Sequence, residues 1–297
     1  MKTVVEEALR SRIRNLDAIP SIPAVLAPLL RCLELPSDQV EVEKITELVS
    51  YDKSIAAQCL RMANSPLFAP GRPVETIRGA VIALGSRRLR DILWSSFLIR
   101  MAPKTEWPVN PVAFWEHSFG CAIVTQQLAR KVGCQDPEKA YLCGLLHDIG
   151  ELVYATVLPA EFRSVVDAAR ARNISLYDAE LELLGFTHAD TGSLLADYWS
   201  LPPDVKKVVE FHHAPELAPS PVVLPALVHL SDLLCRMQGM GYGIEEMAEV
   251  DFLDSSAWRL LQDELPQLGT IDIARFTLEL DAEAEEVRRL VASVFQV

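Results

Sequence analysis

Apolar residues recur at intervals of three and four positions along most of the chain, and strict alternation of apolar and polar residues is scarce. Near the N-terminus, this spacing is shared by Val25, Leu26, Leu29, Leu30 and Leu33. It places apolar side chains on one face of an α-helix, whereas a half-buried strand would alternate. Further stripes of the same kind run over residues 114–132, 141–154, 162–171, 176–184, 189–199 and 205–211. The pattern therefore predicts an all-α fold.

Proline and glycine mark the ends of the predicted helices and divide the chain. Three prolines fall within residues 103–111, and a glycine-rich stretch begins at residue 238. Asp136 followed by Pro137 is a typical helix start, because the aspartate accepts hydrogen bonds from free backbone amides and proline fits the first helical position. We therefore predict two packed helical subdomains with additional C-terminal helices packing on them; the predicted segments are 1–105, 106–240 and 241–297.

The charge and hydropathy of the chain narrow its classes of partner. Half of the 297 residues are hydrophobic and 23% are charged, an ordinary composition for a folded globular protein. The formal net charge of -13 opposes broad binding to nucleic acid or to an anionic membrane surface. No stretch reaches the roughly 18 uninterrupted apolar residues of a membrane-spanning helix, and the charged N-terminus lacks the apolar core of a signal peptide. We expect a cytoplasmic protein with no membrane partner.

The six cysteines form no CxxC pair and mostly fall inside apolar helical stripes. Free cysteine in such positions behaves as a small buried hydrophobe, and cytosolic thiols stay reduced. We expect neither disulfides nor a cysteine-ligated zinc site.

Histidines and aspartates form the most informative pattern. Five of the six histidines fall within 97 residues, and they occur together with aspartates in an otherwise apolar context; the residues concerned are His117, His147, Asp148, His188, His212, His213 and Asp232. Imidazole and carboxylate together are the ligand mix of divalent transition metals such as Zn, Fe, Mn and Ni. The alternative is a set of buried histidines satisfied by hydrogen bonds. His229, one turn before Asp232, is either a partner of a ligand or an ordinary core residue.

The order His, His-Asp, Asp resembles the HD superfamily of metal-dependent phosphohydrolases, an all-helical fold. The resemblance implies that its four ligand positions are His117, His147, Asp148 and Asp232. It also implies that His188, His212 and His213 correspond to additional ligands of the HD-GYP cyclic-dinucleotide phosphodiesterases, which hold two or three metals. The second subdomain is then an HD-like helical domain with one or two divalent ions.

A narrower resemblance, over roughly residues 15–240, is to the HDOD (HD-related output domain) proteins. The segments that carry it are residues 19–36, 45–68, 74–94, 144–162 and 181–216. This resemblance implies a bacterial signal-transduction output protein that acts through contacts with a protein partner. The loop Asn64-Ser65-Pro66-Leu67-Phe68 is similar to an HDOD hallmark; a helix cap with a turn explains it, and a role in partner recognition is the alternative.

Two departures from the hydrolase pattern weigh against catalysis. The hydrolase motif reads HDIGK, whereas Gly150 is followed here by Glu151, and no GYP element follows His213. A lysine attracts a substrate phosphate and a glutamate repels it. A metal-dependent phosphohydrolase, either a phosphodiesterase or a nucleotide phosphatase, stays the alternative because two ions can activate water without a lysine. An iron centre that reports redox state or oxygen to a partner is a further hypothesis. No catalytic residue, partner identity or oligomeric state follows from the sequence.

Overall fold

The computed structural model describes residues 11, 41–51, 53–64, 73–101, 107–242, 253 and 255–295. Over these residues the regular elements are α-helices with short 3-10 segments, and no strand occurs. The prediction of an all-α fold is confirmed. The predicted stripe from Val25 to Leu33 lies outside the described residues.

The chain divides into two compact units. The histidine-bearing unit comprises residues 1–19 and 103–287, and the histidine-free unit comprises residues 20–102 and 288–297. All six histidines belong to the first of them. The subdomain limits drawn from the sequence stay a prediction.

Three helices of the histidine-free unit are α1 (Val42–Ser50), α2 (Lys53–Ala63) and α3 (Ile77–Met101). They pack on one another, and each buries apolar side chains in doing so. Helix α3 contains a kink at Gly85, whose φ of 71° is readily adopted only by glycine.

The Asn64 side chain joins the end of α2 to the segment before α3. Its Nδ2 donates to the carbonyls of Leu60 and Val74, at 2.8 and 2.9 Å, and its Oδ1 accepts from the Val74 amide at 2.7 Å. These bonds agree with the cap-and-turn explanation for Asn64. Residues 65–68 of the same motif lie outside the described residues.

The histidine-bearing unit contains most of the remaining helices. They are α4 (Pro111–Lys131), α5 (Pro137–Leu146), α6 (Gly150–Val157), α7 (Pro159–Arg172), α8 (Leu176–Leu183), α9 (His188–Tyr198), α10 (Pro203–Phe211), α11 (Val223–Met237), α12 (Ser256–Glu264) and α13 (Ile273–Phe295), the last of which continues into the other unit. Helix α4 is central: α5 and α11 pack on it, α10 packs on α5, and α6 crosses α9. The middle of α4 is buried on nearly all sides, which explains its continuous apolar character.

Helix starts follow local rules that the sequence displays. Asn110 caps α4 by accepting from the Val112 amide at 3.0 Å, with Pro111 in the first turn. Asp136 caps α5 by accepting from the Lys139 amide at 3.0 Å, with Pro137 in the first turn, as predicted. These caps fix where both helices begin, and the bounds of α4 and α5 decide where His117 and His147 lie.

A tight turn separates α5 from α6 and carries His147 and Asp148. The Ile149 amide donates to the Leu146 carbonyl and the Glu151 amide donates to the Asp148 carbonyl. Each bond reaches back three residues, which is the pattern of a tight 3-10 turn. Gly150 then meets α9 so closely that a Cβ on it would lie 1.8 Å from the His188 carbonyl oxygen. Only glycine permits this crossing, which brings α9 alongside the turn.

Among the described helices, none is both long and apolar enough on its own to cross a membrane. One pair bent by 120°, Pro137–Val157 with Pro159–Arg172, meets the length and composition requirement jointly.

Candidate metal centre

The seven residues predicted as metal ligands converge in the interior of the histidine-bearing unit. They come from distant points of the chain: His117 from α4, His147 and Asp148 from the turn after α5, His188 from the start of α9, His212 and His213 from the end of α10, and Asp232 from α11. Six of them are buried and His213 is half-buried. Their use as metal ligands stays a prediction, but their proximity is an observation.

The first donor group lies between α4, the turn and α11. It consists of His117, Cys121, His147 and Asp232, whose ligand atoms all lie within 4.8 Å of one another. His117 Nε2 is 3.2 Å from His147 Nε2 and 3.2 Å from Asp232 Oδ1. Two imidazoles and a carboxylate thus face one point.

The second donor group lies between the turn, α9 and α10. It consists of Asp148, His188, His212 and His213, again with ligand atoms within 4.8 Å of one another. His188 Nε2 is 3.3 Å from His212 Nε2 and 2.9 Å from His213 Nε2. Three imidazole nitrogens therefore meet beside one carboxylate.

Asp148 connects the two groups through its two oxygens. Its Oδ2 lies 3.0 Å from His147 Nε2 and 3.5 Å from His117 Nε2, on the side of the first donor group. Its Oδ1 lies 3.3 Å from His188 Nε2 and 3.1 Å from His212 Nε2, on the side of the second. A carboxylate in this position is able to bridge two ions.

In four of the histidines, the hydrogen bond made by Nδ1, the ring nitrogen on the outer side of the centre, determines that Nε2, the inner nitrogen, is free to bind a metal. The Nδ1 atoms of His117, His147 and His212 lie 2.7, 2.8 and 3.0 Å from the carbonyl oxygens of Met240, Gly144 and Val209, and His188 Nδ1 lies 2.9 Å from Glu180 Oε2. These oxygens only accept hydrogen bonds, so each Nδ1 must carry the proton. In a neutral imidazole, Nε2 then presents a bare lone pair to the centre.

Bare lone pairs facing one another are unfavourable unless a cation lies between them. Asp148 Oδ1 is buried and accepts no hydrogen bond from any residue that the structure describes. An orphaned buried carboxylate oxygen beside two or three unprotonated nitrogens is costly without a positive charge. The donor set therefore fits a divalent transition metal better than it fits a satisfied polar core.

Without a metal, protons would have to supply that positive charge. Burial lowers the pKa of His147, but the Asp148 carboxylate and the Cys121 sulfur beside it together outweigh burial and raise the pKa to about 10. Burial would raise the pKa of Asp148, whereas His147 and His117 hold it well below its usual range. At His212 burial prevails and lowers the pKa to about 4, so this imidazole stays neutral and available as a ligand.

Asp232 has an additional cationic partner. Arg236, one turn later on α11, donates from Nε to Asp232 Oδ1 at 2.8 Å. Burial opposes ionisation of Asp232, but Arg236 and then His117 hold the pKa of this carboxyl well below its ordinary value. Asp232 is therefore an anion ready to bind a metal.

Two buried glutamates lie behind the second donor group. Glu180 of α8 accepts from the His188 backbone amide at 2.7 Å as well as from its ring, and so orients the imidazole. Glu151 is 1% exposed, and its Oε2 accepts no hydrogen bond from the described residues. Burial and then the neighbouring Asp148 charge raise the pKa of Glu151 well above its ordinary value.

The space beside the centre is small. It forms a cavity of about 20 Å³, lined among others by Asp148, Glu151, His188 and Tyr242. The Tyr242 hydroxyl donates to Asp148 Oδ2, and its ring stacks on Phe114 at a centroid distance of 5.8 Å. Such a volume holds one or two water molecules, far below the several hundred Å³ of a ligand pocket.

Sequence reasoning missed four contributors to this centre. Cys121 was interpreted as a buried hydrophobe, although it lies one helical turn after His117. Glu180 lies eight residues before His188 with acidic residues two positions away on either side, so nothing in the sequence marks it as the buried carboxylate. The Met240 carbonyl and the Tyr242 hydroxyl come from the glycine-rich break, which has no periodicity to reveal them.

His229 does not join either donor group. Its Nδ1 lies 2.8 Å from the His212 backbone carbonyl, and its side chain is half-buried. It therefore supports the segment that carries His212, which is the outer-partner role among the two alternatives for this residue.

Comparison with known proteins gives one family. The HDOD domain family matches residues 19–215. A crystal structure of an HDOD domain protein of unknown function from Geobacter sulfurreducens is 27% identical, with a TM-score of 0.83, covering 97% of this chain and 98% of that one. A structure from Shewanella amazonensis SB2B, provisionally named a phosphohydrolase, is also 27% identical, with a TM-score of 0.73, covering 95% and 98%.

An uncharacterized protein of Treponema pallidum (strain Nichols) is 29% identical over 200 residues, which are 67% of this chain. The chain spans only 38% of the length of that relative. The match therefore concerns the shared domain and not the whole of the longer protein.

Proposed function

Because the chain belongs to the HDOD family, we propose that it is a bacterial signal-transduction output protein with a His/Asp metal centre, acting through contacts with a protein partner. A cytoplasmic location is part of this proposal. The support is the family membership together with a buried centre that offers metal ligands but little space for a substrate.

The metal of this proposal is a divalent transition ion, one or two per chain. His117, His147 and Asp232 would hold one ion, His188, His212 and His213 the other, and Asp148 would contribute an oxygen to each. When bound, such an ion crosslinks the helices that carry its ligands and is able to activate water. If the bound metal were iron, the hypothesis that the centre senses redox state or oxygen could be tested on the same purified, metal-loaded protein.

One observation carries the preference for an output role over catalysis. The cavity beside the donor groups measures about 20 Å³, and Tyr242, which lines it, donates its hydroxyl hydrogen to Asp148 Oδ2. A nucleotide or cyclic dinucleotide requires a pocket at least ten times larger. Among the described residues, this cavity leaves little room for a phosphoryl group beside the Asp148 oxygens.

Glu151 adds a chemical reason. Its buried carboxyl lines the same cavity, at the position where the hydrolase motif has a lysine. A carboxylate there repels a phosphate, and a protonated carboxyl offers it no compensating charge.

A metal-dependent phosphohydrolase is the second candidate. It is favoured by the presence of both donor groups with a carboxylate between them, and by the likeness to the Shewanella protein. In that case His and Asp residues would hold the ions, and Arg236, which lines the cavity and is paired with Asp232, would supply positive charge beside a bound phosphate. Access would require displacement of Tyr242.

The metal part of the proposal is tested by elemental analysis of protein purified without an affinity tag. We expect one to two equivalents of transition metal in the wild-type protein. The matched control is Asp197→Asn, which changes an exposed aspartate paired with Lys206 and should leave the metal content unchanged. A folded protein that takes up no metal from an excess of Zn²⁺, Fe²⁺ or Mn²⁺ would contradict the metal centre.

The choice between output role and catalysis is tested on the fully metallated protein. Phosphomonoesters, nucleotides and cyclic dinucleotides are supplied with added Mn²⁺ or Fe²⁺, and we expect no turnover. Turnover that Asp148→Asn abolishes and Asp197→Asn preserves would establish the phosphohydrolase and reject the output proposal.

A further inference from the structure

Cys121 lies in the first donor group, although the cysteine pattern of the sequence gives no sign of a metal site. It follows His117 by four residues on α4, so the two side chains lie on the same helix face. Both are completely buried, with exposed fractions of 0%. The packing of α5 and α11 on this face brings His147 and Asp232 to the same two residues.

The sulfur of Cys121 points at the inner nitrogens. Its Sγ is 3.5 Å from His117 Nε2, the lone-pair atom that also lies 3.2 Å from His147 Nε2 and from Asp232 Oδ1. The four ligand atoms lie within 4.8 Å of one another. Ligand atoms that surround one ion at about 2.0–2.3 Å are spaced from one another by distances of the same order as those found between these four atoms. The group therefore fits around one ion after small adjustments.

We propose that Cys121 is a further protein ligand of the ion that His117, His147, Asp232 and Asp148 Oδ2 would hold, so that this ion is bound through a thiolate. The proposal rests on the metal centre of the proposed function and extends it to the class of metal. A set of two imidazoles, two carboxylate oxygens and one thiolate selects zinc, ferrous iron or cobalt(II) and disfavours the hard ions Mg²⁺ and Ca²⁺.

Thiolate ligation has a functional consequence. With the thiolate added, protein ligands would occupy every position around this ion, as they do around structural ions, whereas catalytic sites keep one position for water or substrate. The ion of the first donor group would therefore hold α4, the turn, and α11 together. Any exchangeable position would belong to the second donor group, because Asp148, His188 and the half-buried His213 border the cavity, whereas of the first group only His117 does so.

Cobalt(II) provides a test that needs no activity. The metal-free full chain is titrated with Co²⁺ alone, and its near-ultraviolet and visible spectra are recorded with the bound cobalt quantified. We expect a sulfur-to-cobalt charge-transfer band in the wild-type protein and its loss in Cys121→Ser. The matched control is Cys143→Ser, a buried cysteine of α5 outside both donor groups, which should keep the band.

The outcomes separate this inference from the proposal on which it rests. Bound cobalt without the band, or a band that persists in Cys121→Ser, rejects thiolate ligation and leaves the metal centre intact. Folded protein that binds no cobalt rejects both. If Cys121→Ser does not fold, X-ray absorption of the wild-type zinc form decides, because a sulfur neighbour at about 2.3 Å is expected and its absence would overturn the inference.

Discussion

Asp148 is the residue on which both donor groups depend, because each of its oxygens faces a different group. A single-atom change from oxygen to nitrogen at this position replaces a charged acceptor by a neutral amide while nearly preserving the volume. The packing of the surrounding imidazoles and Tyr242 is therefore retained, whereas the affinity for a cation is not.

We predict that Asp148→Asn weakens metal binding by more than the roughly 10–100-fold that the loss of an outer partner costs, because a direct ligand is lost. Competition with a chelator of known affinity measures the change. Asp197→Asn, on the exposed surface of α9, should bind as wild type. Equal affinity in Asp148→Asn would mean that the carboxylate is not a ligand.

Glu180 contacts the centre indirectly, through its hydrogen bonds to His188. It holds the ring and the backbone amide of His188, and His188 Nε2 is central to the second donor group. The carboxylate thereby sets both the tautomer and the direction of the imidazole.

We predict that Glu180→Gln weakens binding at the second donor group roughly 10–100-fold and leaves the first unchanged. The reason is that the glutamine amide fills the same space as the Glu180 carboxylate but lacks the negative charge that stabilises the proton on His188 Nδ1. A metal titration in which the first and second equivalents bind in separate steps measures the affinity of each donor group. Glu182→Gln, which affects an exposed pair with Arg172, is the control; a similar loss in that variant would remove the argument.

At the scale of elements, the crossing of α6 and α9 determines whether the two donor groups meet. Gly150 starts α6, directly after the turn that carries Asp148, and touches the backbone of α9 at His188. The contact is backbone against backbone, so no rotamer change is able to relieve an added side chain.

We predict that Gly150→Ala lowers the free energy of unfolding by about 1–3 kcal/mol or more, since the two helices must move apart. Metal binding at the second donor group should weaken with it. Chemical denaturation measures the first effect. Gly269→Ala, where an added Cβ meets no atom within 4 Å, should stay within about 0.5 kcal/mol of wild type. A Gly150→Ala protein as stable as that control would show that the crossing relaxes.

At the scale of the whole molecule, metal links folding to the assembly of five separate segments. The ligands span residues 117–232, so the unfolded chain cannot present them together. A metal that binds only the folded chain stabilises it by mass action.

We predict that each site held at a free metal concentration 100-fold above its dissociation constant adds about 2.7 kcal/mol of stability. For a unit of this size, removal of metal should lower the melting temperature by roughly 5–10 °C per site. Calorimetry before and after treatment with EDTA and gel filtration measures the shift. The Asp148→Asn variant should respond much less, and an equal response would assign the effect to another site.

Much of the helical fold is visible in the sequence because helix periodicity, proline placement and capping are local properties. Asp136 and Pro137 predict the start of α5, and the spacing of apolar residues over 114–132 predicts that α4 is helical. The likeness of residues 181–216 and 144–162 to HDOD proteins identified the family before any contact was known. These features need only the identity of near neighbours along the chain.

The sequence likewise identified seven candidate donor residues, because only a few residue types bind metals and these seven follow the His, His-Asp, Asp order with its additional histidines. The tertiary structure alone decided that Asp148 lies between two groups, that Cys121 joins the first, that Glu180 orients His188, and that Tyr242 lines the cavity and bonds to Asp148. Periodicity assigns a residue to a face of its own helix, whereas the partner of that face depends on how close the helices approach. That approach is fixed by contacts such as Gly150 on the His188 carbonyl, which join positions far apart in the chain.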